Sequence, residues 1–228
     1  MEKRIPFGNF IKILESHRLI LLGEIHGTKE IPLKVKSIIR GVARKINFVF
    51  LEIPKVQQKY VDRYLMTNNE QYLYEIPFFR NPLKEGRDSK ENLFLIRNIK
   101  NLQSKYPKIK IICVDSDKEV DRDYFMYKEI KKYLKGGINI FITGNIHANK
   151  EIVRINKREL KPCGYYLKKW LRNDLITVNF APIRGRFYNL KIRDIQDKKL
   201  RRGGIFSSKI KGYDFEYRLR KVSPCSFL

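Results

Sequence analysis

Along the first two-thirds of the chain, short apolar runs alternate with longer stretches whose apolar residues recur every three or four positions. The short runs are Leu19-Ile20-Leu21-Leu22, Phe48-Val49-Phe50-Leu51, residues 109–114 and residues 138–143. They are rich in branched side chains and bounded by Gly, Pro, Asn or Asp, which predicts strands. Strands apolar on both faces belong in a parallel sheet covered by helices. Helices are expected between them. Residues 31–43 place Val35, Ile38, Ile39 and Val42 on one face, and residues 91–102 do the same with Leu95, Ile99 and Leu102. Residues 124–134 contribute Phe125, Ile130 and Leu134. This alternation predicts an α/β fold with a central, mostly parallel sheet and helices on both faces.

The pattern then changes. Residues 164–171 read as a helix, and residues 175–180 and 187–192 as strands. Residues 213–220 alternate Tyr, Phe and Leu with charges, as an edge or half-exposed strand does. Antiparallel strands are therefore expected to join the sheet toward the carboxyl end. The chain reads as one domain over residues 1–228, with a basic extension from about residue 194 that contains Lys198-Lys199-Leu200-Arg201-Arg202.

Composition leaves that picture intact and adds a question of charge. The 228 residues include 49 Lys and Arg against 24 Asp and Glu, a net charge of +25. From Pro182 onward there are 13 basic and 4 acidic residues. Such an excess favours a non-specific anionic partner, either nucleic acid or a membrane surface. No ribonucleoprotein motif, zinc-finger spacing or basic zipper accompanies it. Cys113, Cys163 and Cys225 lie far apart and form no paired motif, so neither a disulfide framework nor a thiolate zinc site is expected. Cys113, inside an apolar run, reads as a small buried residue. The charged amino terminus and the lack of a long apolar stretch predict a cytoplasmic protein.

The chemistry concentrates where the strands end. Ligands of open parallel sheets bind outside the carboxyl ends of the strands. The first strand ends in Gly23-Glu24-Ile25-His26, the second in Glu52, the third in Asp115-Ser116-Asp117, and the fourth in Gly144-Asn145-Ile146-His147. Each delivers a carboxylate or an imidazole to the same edge. A glutamate beside a histidine fixes its tautomer and raises its basicity, which suits it to activating water. A second histidine opposite can donate to a developing oxyanion. Gly23 and Gly144 permit tight turns and close approach of a ligand. Simpler readings stand beside these: Glu52 as a helix cap, Asp115 as the start of a turn, Asp117 and Asp121 as helix N-terminal residues, and His17 as a surface histidine.

Leu21-Leu22-Gly23-Glu24-Ile25-His26-Gly27-Thr28-Lys29-Glu30 resembles the opening motif of the erythromycin esterase, ChaN and Tiki/TraB superfamily. Phe50-Leu51-Glu52 is similar to its second-strand glutamate, Arg122-Asp123-Tyr124-Phe125-Met126 to a helix-opening segment, and Gly144-Asn145-Ile146-His147-Ala148 to its late histidine motif. Pro162-Cys163-Gly164-Tyr165-Tyr166-Leu167, Asn179-Phe180-Ala181 and Gly185-Arg186-Phe187 resemble the esterase carboxyl-terminal pattern, so the likeness spans residues 18–190 in order. It implies a hydrolase acting on an ester, amide or related bond of a small-molecule or peptide substrate. His26 would be the general base, Glu24 and Glu52 its orienting groups, His147 the oxyanion stabiliser, and Arg122 a binder of carbonyl or phosphate. Gly23, Asn145, Asp115 and Glu30 would contact substrate. The Tiki branch implies a divalent metal (Mn, Co or Zn) on His26, His147, Glu24 and Glu52, and the ChaN branch implies haem. A basic polyanion-binding protein is the remaining alternative.

Overall fold

The computed structural model describes residues 2–116, 118, 120–155 and 157–228. Its strands are β1 (Leu19–Glu24), β2 (Ile46–Pro54), β3 (Lys110–Asp115), β4 (Ile138–Gly144), β5 (Val153–Ile155), β6 (Arg158–Leu160), β7 (Leu175–Pro182), β8 (Arg184–Asn189), β9 (Lys191–Gln196), β10 (Gly204–Ser207) and β11 (Phe215–Leu219). Its helices are α1 (Phe7–Leu14), α2 (Glu30–Val42), α3 (Gln58–Thr67), α4 (Glu70–Tyr74), α5 (Lys90–Gln103), α6 (Arg122–Tyr133), α7 (Asn145–Ala148) and α8 (Cys163–Leu171). Seven strands form the central sheet in the order β10-β11-β7-β1-β4-β2-β3. Every neighbouring pair in it is parallel except β10 with β11.

Alternation along the strands builds two cores. Ile20 and Leu22 of β1 pack with Phe10 of α1, Val35 of α2, Val61 of α3 and Ile96 of α5. Leu19 and Leu21 point the other way, to Met126 and Ile130 of α6 and Leu167 of α8. The expected helices on both faces are therefore present. Burying each such side chain contributes about 1.5–3 kcal/mol, and truncating Leu21 to Ala would cost about 2–5 kcal/mol. Three helices start on side-chain caps: Asn69 caps α4 through the Gln71 N–H, Ser89 caps α5 through the Asn92 N–H, and Asp121 caps α6 through the Tyr124 N–H, as expected for Asp121. Asp117 lies outside the described residues.

The carboxyl-terminal third departs from expectation in three ways. Residues 187–192 form not one strand but the turn of the β8–β9 hairpin, reversed at Leu190 with φ 58°. β11 lies between β10 and β7, inside the sheet and not at its edge. The residues from about 194 onward supply both β10 and β11 to that sheet. Their tail, together with β8, also reaches the segment between β1 and α2. The Gly27 carbonyl accepts the N–H groups of Tyr188 and Cys225, each at 2.9 Å, and Glu30 accepts the Ser223 N–H at 2.8 Å. Gly27 has φ +78°, and a Cβ there would lie 1.8 Å from the Tyr188 carbonyl oxygen, so only glycine fits. These contacts hold the loop that carries His26. No helix among the described residues is long and apolar enough to cross a membrane.

Candidate active site

β1 and β4 are neighbours in parallel register, with Gly23 opposite Thr143 and Glu24 opposite Gly144. The shared spacing from Gly23 to His26 and from Gly144 to His147 therefore brings the two imidazoles to one place. A Cβ on Gly144 would lie 2.8 Å from His26 Nε2 and 3.5 Å from His147 Cδ2. Gly144 is thus the gap that both rings share. Gly23 does a different job from the ligand approach expected of it: its missing side chain leaves room for Ala148 and Asn145 of α7, 2.8 and 3.1 Å from an ideal Cβ.

Glu52 sits at the centre, 7% exposed. Its Oε2 accepts the Thr143 hydroxyl at 2.6 Å and the Gly144 N–H at 2.7 Å, while its Oε1 accepts Arg122 Nη2 at 2.5 Å and Arg87 Nη1 at 3.1 Å. The two histidines flank it, His26 Nε2 3.7 Å from Oε2 and His147 Nε2 3.8 Å from Oε1. Burial alone would raise the pKa of Glu52, but His147, His26, Arg87 and Arg122 together hold it well below the usual carboxylate range. It is an ionised acceptor and caps no helix.

Each imidazole has its own carboxylate on Nδ1. His26 Nδ1 lies 2.9 Å from Glu24 Oε1, and His147 Nδ1 lies 2.8 Å from Asp123 Oδ1. Because a carboxylate is acceptor-only, both Nδ1 atoms carry the proton and both Nε2 atoms are turned toward the crevice. Burial would lower the pKa of His147, but the charge of Glu52 and the Asp123 hydrogen bond outweigh it and raise the pKa above 6.5. Glu24 is 3% exposed and its Oε2 has no hydrogen-bond partner. It lines a cavity of about 40 Å³ bounded by Phe78, Phe79, Ile96 and Asn92.

Asp115 starts a turn, as one of its expected readings had it, and its carboxylate is taken up by arginine. Its Oδ1 accepts the Ser116 N–H at 2.8 Å, as at the start of a turn, and both of its oxygens bind Arg122. Arg87 joins them, with Nη1 3.2 Å from Asp115 Oδ2. Four expected residues and Arg122 thus converge: Glu24, His26, Glu52 and His147, with Asp115 behind. Asn145 stands beside them at the start of α7, its carbonyl accepting the Tyr213 hydroxyl. Glu30 does not join the site. Its carboxylate is spent on the Ser223 backbone. His17 bonds the Ile13 carbonyl at the opposite end of β1.

Sequence reasoning missed two members. Arg87 lies in a loop with no periodic pattern. Asp123 follows Arg122 in the quoted motif, but an acid in a first helical turn ordinarily faces solvent. Here it is 3% exposed and also accepts the Cys163 N–H at 2.7 Å. Burial, with Asp123 second, holds the Cys163 thiol well above its ordinary range, so it is no thiolate nucleophile.

No family model matches the sequence, and no curated protein matches it. Solved structures do. A succinoglycan biosynthesis protein aligns over 97% of this chain and 93% of its own, with TM-score 0.74 and 13% identity. ChaN of Campylobacter jejuni, in a structure with cofacially bound haem, covers 78% of this chain and 87% of its own, at TM-score 0.54 and 12% identity. An erythromycin esterase mutant in its open conformation covers 84% and 79%, at TM-score 0.50 and 14% identity. The fold is that of the erythromycin esterase and ChaN structures. At these identities the likeness concerns fold, and the chemistry rests on the residues described above.

The cofactors implied by the motifs fit these residues poorly. A dication between the two Nε2 atoms would need Glu52, whose oxygens already hold four donors, and would meet the Arg122 guanidinium, whose Nη1 lies 3.5 Å from His147 Nε2. Among the described residues no group of three His, Cys, Asp or Glu is placed to hold a metal ion. Haem needs an apolar slot beside a free axial ligand. Both imidazoles turn Nε2 toward ion-paired Glu52, so neither is a free axial ligand.

Proposed function

We propose that the chain is a hydrolase that activates water at His26 and cleaves an ester, amide or related bond of a small-molecule or peptide substrate. One observation carries the reading: two imidazole Nε2 atoms lie 3.7 and 3.8 Å from the two oxygens of one buried carboxylate, each ring oriented by a second carboxylate. That is a base and a donor of opposite function on either side of a single point. That one structure of the same fold is an erythromycin esterase supports hydrolysis as the class.

The steps follow from protonation. His26, whose Nδ1–H donates a hydrogen bond to Glu24, accepts a proton from water at Nε2 as the water oxygen attacks the carbonyl carbon. Negative charge moves to the carbonyl oxygen. His147, its pKa raised by Glu52 and Asp123, donates from Nε2 to that oxygen, with Arg122 beside it. His26 then returns its proton to the leaving group as the carbon–heteroatom bond breaks. Glu52 stays ionised throughout and keeps both arginines and Gly144 in place.

A panel of chromogenic esters, peptides and phosphate esters, assayed with the native chain, His26→Ala and His147→Ala, tests the reading. General acid–base groups contribute typically about 10²–10⁴-fold. Both variants should lose activity on that scale while melting as cooperatively as the native protein.

A further inference from the structure

Beside the catalytic centre, on the β7 side, lies a cleft of about 510 Å³ that the catalytic steps do not use. Its volume falls in the range of roughly 300–1,000 Å³ common to ligand sites. Ile25, between Glu24 and His26, and Asn145, next to Gly144, belong to its wall, so the cleft is continuous with the site. Asn179 lines it too. This residue stands opposite Gly23 in the parallel pairing of β7 with β1, is 7% exposed, and has an Oδ1 with no hydrogen-bond partner. A buried acceptor of that kind seeks an N–H or O–H. Lys198 and Lys199 also line the cleft. Asp197 accompanies them, but its carboxylate caps the Lys199 backbone N–H at 2.9 Å. Among the described residues neither lysine ammonium has a partner.

We infer that this cleft holds the part of the substrate flanking the scissile bond and selects an anionic group there. A carboxylate or phosphate pairs with Lys198 and Lys199, while an amide N–H of the same molecule donates to Asn179 Oδ1. The orientation rests on the hydrolytic reading above; the binding does not require turnover. The chemistry is a single anion on a short amide-bearing chain, which matches one acceptor in the wall and two unpaired cations beside it.

The chain has only three histidines, so selective ¹⁵N labelling of their rings reports on the site directly. Three probes are titrated into the full chain: N-acetyl-Gly-Glu amide, its phosphoserine counterpart and its neutral Gln counterpart. The anionic probes should shift the His26 and His147 resonances saturably and leave His17, at the far end of β1, unmoved. The Gln probe should bind at least tenfold more weakly, and the stronger of the two anionic arms identifies carboxylate or phosphate. The double variant Lys198→Glu/Lys199→Glu should weaken anionic binding at least tenfold. Lys105→Glu/Lys108→Glu, an equal charge change just before β3, should not. Asn179→Leu should weaken all three probes alike. Equal binding of the Gln probe, equal loss in the two charge-reversed variants, or unmoved His26 and His147 signals would overturn the inference. A hydrolase that fails the His26→Ala test but passes these titrations leaves the cleft standing without its reaction.

Discussion

Asp123 Oδ1 accepts two hydrogen bonds at once, from His147 Nδ1 at 2.8 Å and from the Cys163 backbone N–H at 2.7 Å. One oxygen therefore ties the His147 imidazole to the first turn of α8. An asparagine there would keep its shape but lose the charge that favours imidazolium. Asp123→Asn should lower turnover roughly 10²-fold or more, in the range for general acid–base groups, and move the basic limb of the pH–rate profile to lower pH. A profile shifted with little loss of melting temperature separates orientation from folding.

The raised pKa of His147 also makes stability depend on pH. Because the folded value lies above 6.5, protonated His147 stabilises the fold fully below about pH 6.5, and that contribution is lost as pH rises through the folded pKa. Glu52 has the opposite sign. Its lowered pKa gives stability that is present above about pH 4.5 and lost as pH falls toward the folded value. Denaturant melts of the native chain and His147→Gln should therefore differ most between these limits, and the difference should shrink as pH rises through the folded pKa of His147.

Glu52 is the charge that both arginines answer. Replacing it with Gln leaves Arg122 to Asp115 and Arg87 to Asp115 and Glu85, and breaking a buried pair costs about 3–5 kcal/mol. Glu52→Gln should be inactive and less stable by that amount in urea melts. A variant that loses activity with native stability would place Glu52 outside the network described.

Much of this was legible beforehand because it rests on local pattern. Runs such as 19–22 and 138–143 are too short and too uniformly apolar for anything but covered strands. Once such strands run parallel, their polar ends meet on one edge, which is why His26, Glu52 and His147 could be brought together from spacing alone. Three things were not legible. β11 looks half-exposed because Glu216 and Arg218 alternate with its apolar residues, yet these two charges satisfy each other and are buried, with Arg218 also paired to Glu2. The turn at Leu190 puts the left-handed φ on a leucine, and Asn189 beside it stands inside a run that otherwise reads as one strand. Arg87 and Asp123 owe their roles to distant partners, and no local rule finds those.

Metal removal gives a sharp contrast between the branches that the motifs resemble. With four donors already on Glu52 and Arg122 beside His147, chelation by EDTA should leave hydrolysis within about twofold. Haemin added to the purified chain should give no stoichiometric Soret band that depends on His26 or His147. A band lost in either alanine variant, or activity lost to chelation and restored by Mn, Co or Zn, would place the metal chemistry back at this site.

The most direct measurement is the turnover of His26→Ala on whichever bond the native chain hydrolyses, read beside its melting curve. The account predicts a loss of at least about 10²-fold in a protein that still melts cooperatively, at a lowered temperature because buried Glu24 loses its hydrogen bond from His26. Native turnover in a folded His26→Ala protein would contradict it.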